Sequence, residues 1–170
     1  MIDLGAGWQT ERLDLEALTR EHAAELAPAL DDLDLHRFTG GVPLSVHDLT
    51  ERYGLLVARR SPDGRHLWGN WVLRERQTGA AVGTVQVTLP ARGPGGPPAE
   101  VAWIVARPAQ GRGYAREAAS SLVDRLVGDG WPVAAFIHPE HAASHGVARA
   151  AGLTVTDVIR DGEQCWFRRD

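Results

Sequence analysis

The sequence predicts a single α+β domain, and three observations carry that reading. Two strand-like runs, 67–74 and 81–89, meet around Thr78-Gly79 and form an antiparallel hairpin. Between Glu100 and Ile137, a short apolar strand, an amphipathic helix and a second apolar run follow one another as a βαβ unit. The chain has 170 residues, 44% of them hydrophobic and 24% charged, which suits one buried core, and no stretch reads as a linker between two.

Each element has a local reason. Residues 8–18 alternate loosely and read as an edge strand with Leu13, Leu15 and Leu18 as its apolar members. Thr19 caps a helix through Leu30. Residues 31–43 carry turn chemistry, including Gly40 and Gly41, and Ser45-Val46-His47-Asp48 resembles a capping box ahead of a helix to about Arg60. Ser61-Pro62-Asp63-Gly64 turns the chain into the hairpin. The stretch 90–98 is rich in Pro and Gly, so it forms a surface loop, expected to be mobile, and not a central strand.

Residues 100–105 form the next strand, and 107–113 lead into the clearest helix of the sequence. Its apolar positions, Ala115, Ala118, Ala119, Leu122, Val123, Leu126 and Val127, recur at helical spacing, and Gly128 and Gly130 end it. The continuous apolar run 133–137 fits a buried parallel strand reached by a crossover helix. A last helix over 142–151 stops at Gly152, and strands at 154–159 and 164–168 turn at Asp161-Gly162.

Composition excludes several functions. A formal net charge of -4 gives no electrostatic reason to bind nucleic acid, and no apolar run is long enough to cross a bilayer. The start of the sequence lacks a secretory signal pattern and Cys165 is the sole cysteine, so a cytoplasmic location is expected. The chain contains no lysine, which removes a P-loop lysine, a Schiff-base lysine and self-modification at a lysine side chain.

The most informative residues are Gln110-Gly111-Arg112-Gly113-Tyr114-Ala115, between a buried strand and an amphipathic helix. Glycines let main-chain amides approach an anion, the helix start supplies unpaired N–H groups, and Arg112 adds a positive charge. On its own such a loop is equally a tight βα turn. The dinucleotide fingerprint fails, because Arg116 stands where its third glycine belongs.

Strand, then Gln-x-x-Gly-x-Ala, then helix resembles the coenzyme A loop of the GNAT superfamily of N-acetyltransferases. Ile137-His138-Pro139-Glu140-His141-Ala142-Ala143-Ser144, continuing to Val147-Ala148 and Gly152-Leu153, is similar to that family's later strand-and-helix motif. The strand Ala99-Glu100-Val101-Ala102-Trp103-Ile104 resembles the branch of ribosomal-protein N-terminal acetyltransferases (RimJ and RimL). The resemblance implies a GNAT fold: a mixed, twisted sheet of about six or seven strands, about four helices, and a parallel strand pair splayed at the cofactor site. It also implies transfer of acetyl from acetyl-CoA, without a metal, to a primary amine on a protein N-terminus or a small molecule. A homodimer is the default expectation for a symmetric assembly.

By the same resemblance, main-chain groups near Ile104 and Val105 hold the acetyl carbonyl and pantetheine. Gln110, Gly111, Arg112, Gly113, Tyr114 and Ala115 hold the diphosphate, and His141 replaces the family's cofactor-binding Asn. Glu100 is the candidate base, or else a solvated strand-end carboxylate. Ser144 is the candidate donor to the leaving thiolate, or else a helix-start serine bonded to backbone. The tyrosine that many relatives use as acid falls on Ala148, which keeps open a coenzyme A-binding or regulatory module without catalysis. A general βαβ phosphate-binder with no coenzyme A role is the third reading. His138, His141 and His145 lack the Glu of a zinc helix motif, so no metal site is expected. Trp68, Trp71 and Trp103 read as core residues, with an apolar acceptor pocket as the alternative, and the family likeness puts the front helices and the Gly40-Gly41 loop around the acceptor groove.

Overall fold

A computed structural model describes residues 1–38 and 40–169; Thr39, inside the stretch expected as turn, lies outside the described residues, as does Asp170. The chain runs through β1 (Trp8–Gln9), β2 (Leu13–Ala17), α1 (Ala23–Ala29), α2 (Val46–Leu56), β3 (His66–Glu75), β4 (Ala81–Pro90) and β5 (Ala99–Val105). It continues with α3 (Tyr114–Gly128), β6 (Val133–Ile137), α4 (Ala142–Ala150), β7 (Thr154–Arg160) and β8 (Glu163–Arg168). The strands form one mixed sheet in the order β1-β2-β3-β4-β5-β6-β8-β7, in which β5 and β6 are parallel and the other neighbours antiparallel.

Strand alternation decides which helix covers which face. Along β3, Trp71 and Leu73 point to one side and Val72 to the other, as a period of two requires. Trp71 and Leu73 join the main core, built with Leu122, Val123 and Leu126 of α3 and Val147 and Ala148 of α4. Val72 joins a smaller cluster with Leu26 of α1 and Leu49 and Tyr53 of α2. Two helical layers therefore sandwich the sheet. No helix among the described residues is long and apolar enough to cross a membrane.

The N-terminal run departs from the single strand expected. Thr10 closes a tight turn on Leu13 (N–H to carbonyl 2.9 Å), and Trp8 folds back opposite Leu15. There Trp8 meets Trp71 edge-on at 4.9 Å and donates its indole N–H to Ser121 at 2.8 Å. Splitting that run gives eight strands where seven were legible. The second helix stops at Leu56, before the expected Arg60, because Arg59 takes φ +54° and its carbonyl accepts from the Trp68 N–H at 3.0 Å. The chain reverses there to meet β3.

One joint of the sheet matters for function. The parallel register of β5 and β6 consists of Ala99 opposite Val133 and Glu100 opposite Ala134, and the strands then diverge. From Val101 onward the β6-facing edge of β5 has no strand partner, and a wedge opens between the two.

Candidate active site

The wedge widens into a cavity of about 820 Å³, within the usual range for a small-molecule site. Its walls are β5 from Val101 to Val105, the turn and first residues of α3, the end of β6, the start of α4, and Leu35 to Phe38 except His36. Ile104, Val105, Gln110, Gly111, Arg112, Gly113, Tyr114, Ala115, His141 and Ser144, predicted from sequence on separate motifs, all line this one cavity.

The glycine turn forms one part of the wall. Gly111 and Gly113 adopt φ +77° and +84°, a region that side-chain-bearing residues rarely occupy, and Gly113 is the N-cap of α3. Among the described residues, the main-chain N–H groups of 111–116 donate to no other group of the protein. They form a donor-lined recess at a helix start, with Arg112 and Arg116 beside it. Gln110 acts differently: its side-chain amide donates to the Val105 carbonyl at 3.0 Å and pins the turn to β5.

At the start of α4, His141 caps the helix by accepting the Ser144 N–H on Nδ1 at 3.3 Å. Partial burial, then the neighbouring His145 and His138, lower its pKa, so the imidazole is held neutral. With Nδ1 accepting, the neutral ring carries its proton on Nε2, which lies 3.4 Å from Ser144 Oγ. Trp103 also donates its indole N–H to Ser144 Oγ, at 3.3 Å. Both contacts occupy the oxygen as acceptor, leaving the serine proton to be donated. Phe38 packs its ring 4.5 Å from that of His141 and closes this side of the cavity.

Glu100 stands apart from this arrangement. It lies at the closed end of the wedge, opposite Ala134, and both its oxygens take hydrogen bonds from Arg160 at 2.7 and 2.6 Å. It does not line the cavity, so the geometric ground for making it the base is gone. The carboxylate that does line it is Glu163, at the start of β8, which makes no side-chain hydrogen bond or ion pair with another described residue. Sequence reading missed it because a Glu just after an Asp-Gly turn looks like a solvated turn residue. Only the pairing of Gln164 with Ile137 brings it beside His138. Also missed was the clasp in which Arg107 pairs with Asp32 and Asp34, tying the Phe38 segment to the end of β5. Trp71 is fully buried core, whereas Trp103 belongs to the cavity wall. Ala148 is fully buried in the main core.

The family model for the acetyltransferase (GNAT) domain matches residues 12–154. The chain belongs to the GNAT acetyltransferases. Solved structures agree in fold. An acetyltransferase from Agrobacterium tumefaciens is 22% identical with a TM-score of 0.74, the match covering 97% of this chain and 95% of that one. The microcin C7 self-immunity acetyltransferase MccE, solved with acetyl-CoA and AMP, is 12% identical with a TM-score of 0.77 over 95% and 94%. RimL, the ribosomal L7/L12 alpha-N-protein acetyltransferase, solved with coenzyme A, is 16% identical with a TM-score of 0.73 over 94% and 95%. At such identities these likenesses speak for the GNAT fold alone. No curated protein matches the chain.

Proposed function

We propose that this GNAT domain moves the acetyl group of acetyl-CoA to a primary amine by direct attack in a ternary complex. The observation that carries the reading is the run of unclaimed N–H groups at 111–116, suited to a diphosphate, in a cavity that Ser144 also lines. The ligands of the structural neighbours support it, since RimL holds coenzyme A and MccE holds acetyl-CoA. The acceptor is a protein N-terminus or a small-molecule amine.

In this mechanism the incoming ammonium gives a proton to Glu163, and the neutral nitrogen attacks the thioester carbonyl. The C–S bond then breaks; the Ser144 hydroxyl gives its proton to the departing thiolate and recovers one from the acetylated nitrogen, which leaves as a neutral amide. Main-chain donors on the unpaired edge of β5, near Ile104 and Val105, polarise the carbonyl. Glu163 is preferred to Glu100 because its carboxylate is free and lines the cavity. An α-amine titrates at about 7.7 to 8.0, so a carboxylate base suffices for it.

The test is release of free thiol from acetyl-CoA with a panel of peptides and small amines. Thiol release that depends on the amine is expected, and Glu163→Gln lowers kcat/KM by about a hundredfold near neutral pH. That gap narrows at alkaline pH, where the amine is already neutral. Acetyl-CoA binding without thiol release for any amine would instead identify a non-catalytic coenzyme A module.

A further inference from the structure

Arg12 lies outside the cavity, just before β2, yet it is fastened to the glycine turn. Its NH1 donates to the carbonyl of Arg112 at 2.7 Å, and its Nε to Glu117 Oε2 at 2.7 Å. Glu117, in the first turn of α3, also accepts from the Arg12 main-chain N–H at 2.7 Å and from the Thr10 hydroxyl at 2.6 Å. The guanidinium lies over the Tyr114 ring, and a Cβ at Gly113 would sit 3.3 Å from Arg12 NH2. On the other flank, buried Glu75 accepts from the hydroxyls of Tyr114 and Thr78 and pairs with Arg112 at 3.3 Å.

The carbonyl of Arg112 and the N–H of Gly113 belong to one peptide plane, and in a trans peptide they point in opposite directions. A donor that holds the carbonyl toward β2 therefore turns the Gly113 N–H away from β2, on a residue that lines the cavity. The hold matters at this place. Glycine occupies both senses of φ at similar cost, so a peptide whose second residue is glycine, as in Arg112–Gly113, flips more readily than most unless something fixes it. A donor aimed before the ligand arrives spares the ordering cost at binding.

We propose that Arg12, held by Glu117, is a positioning residue that fixes the Arg112–Gly113 peptide with its N–H toward the diphosphate. This rests on the reading of the turn as a diphosphate site. It makes a prediction opposite to that of charge alone. Glu117→Gln removes a negative charge near an anion site, which by Coulomb attraction alone tightens binding; loss of positioning weakens it.

The test measures dissociation constants of wild type, Arg12→Gln and Glu117→Gln for acetyl-CoA and for S-acetylpantetheine, the same thioester without the diphosphate and the nucleoside 3′-phosphate it carries. Each variant is expected to bind acetyl-CoA about tenfold more weakly, the size of one lost charge-assisted hydrogen bond, with S-acetylpantetheine unaffected. In turnover, KM for acetyl-CoA rises by a similar factor while kcat changes far less. Equal losses for both ligands, an Arg12→Gln protein that binds like wild type, or an unchanged or tighter Glu117→Gln protein overturns the role of Arg12 alone. A wild type that does not prefer acetyl-CoA over S-acetylpantetheine overturns the diphosphate reading, and this inference with it.

Discussion

His141 shows how one side chain can serve helix and site together. Its Nδ1 must be unprotonated to accept the Ser144 N–H, and burial holds its pKa below the usual histidine value. Because the unfolded chain takes up a proton at about pH 6.5 while the folded ring does not, folding loses stability as pH falls below that value, until the folded ring itself protonates. His141→Asn keeps a capping residue and removes this slope. The melting temperature of the variant should therefore fall less than that of wild type between pH 7.5 and 5; parallel falls would detach the ring from the effect. At this scale the sequence was a partial guide. The glycine turn was readable because its chemistry is consecutive in the chain. Glu163, Phe38 and Arg12 were not, since each acquires its role from neighbours distant in sequence: Ile137 by way of Gln164, His141, and the carbonyl of Arg112.

Among the elements, α3 was the most legible, because helical spacing of Leu122, Val123 and Leu126 is written directly in the chain and the structure buries all three completely. Leu122→Ala leaves a hole between the helix and the sheet and should cost about 2–5 kcal/mol. A lower urea midpoint with an unchanged m-value is the expected signature. The hairpin β3–β4 was readable for a similar reason, with Gly79 at φ +75° in its turn. The order of the last strands was not, because β8 inserts between β6 and β7 through pairings that no local pattern announces. The front of the chain misled for the opposite reason. Residues 8–18 look like one strand, and the turn at Thr10–Leu13 together with the contacts of Trp8 to Trp71 and Ser121 folds the run in two.

Across the whole molecule, acidic side chains are tied into arginine pairs that link distant elements. Arg74 of β3 holds Glu16 of β2 and Glu25 of α1, and Arg107 holds Asp32. Hydrogen bonds from these arginines lower the pKa of all three acids, and those of Thr78 and then Tyr114 do the same for Glu75. Their contribution is complete above about pH 5 and is lost as pH falls through the lowered folded values. Thermal melts across pH 5 to 2.5 should show a steep fall that Arg74→Met makes shallower. The sheet itself is two plates, β1 to β5 and β6 to β8, joined along a seam two residue pairs long. Beyond that seam, force passing between the plates travels through the packing of α3 and the Arg160–Glu100 pair, since the ladder stops there. A guest lying in the gap would restore that continuity, and the stiffness of the domain then becomes a property of its occupancy.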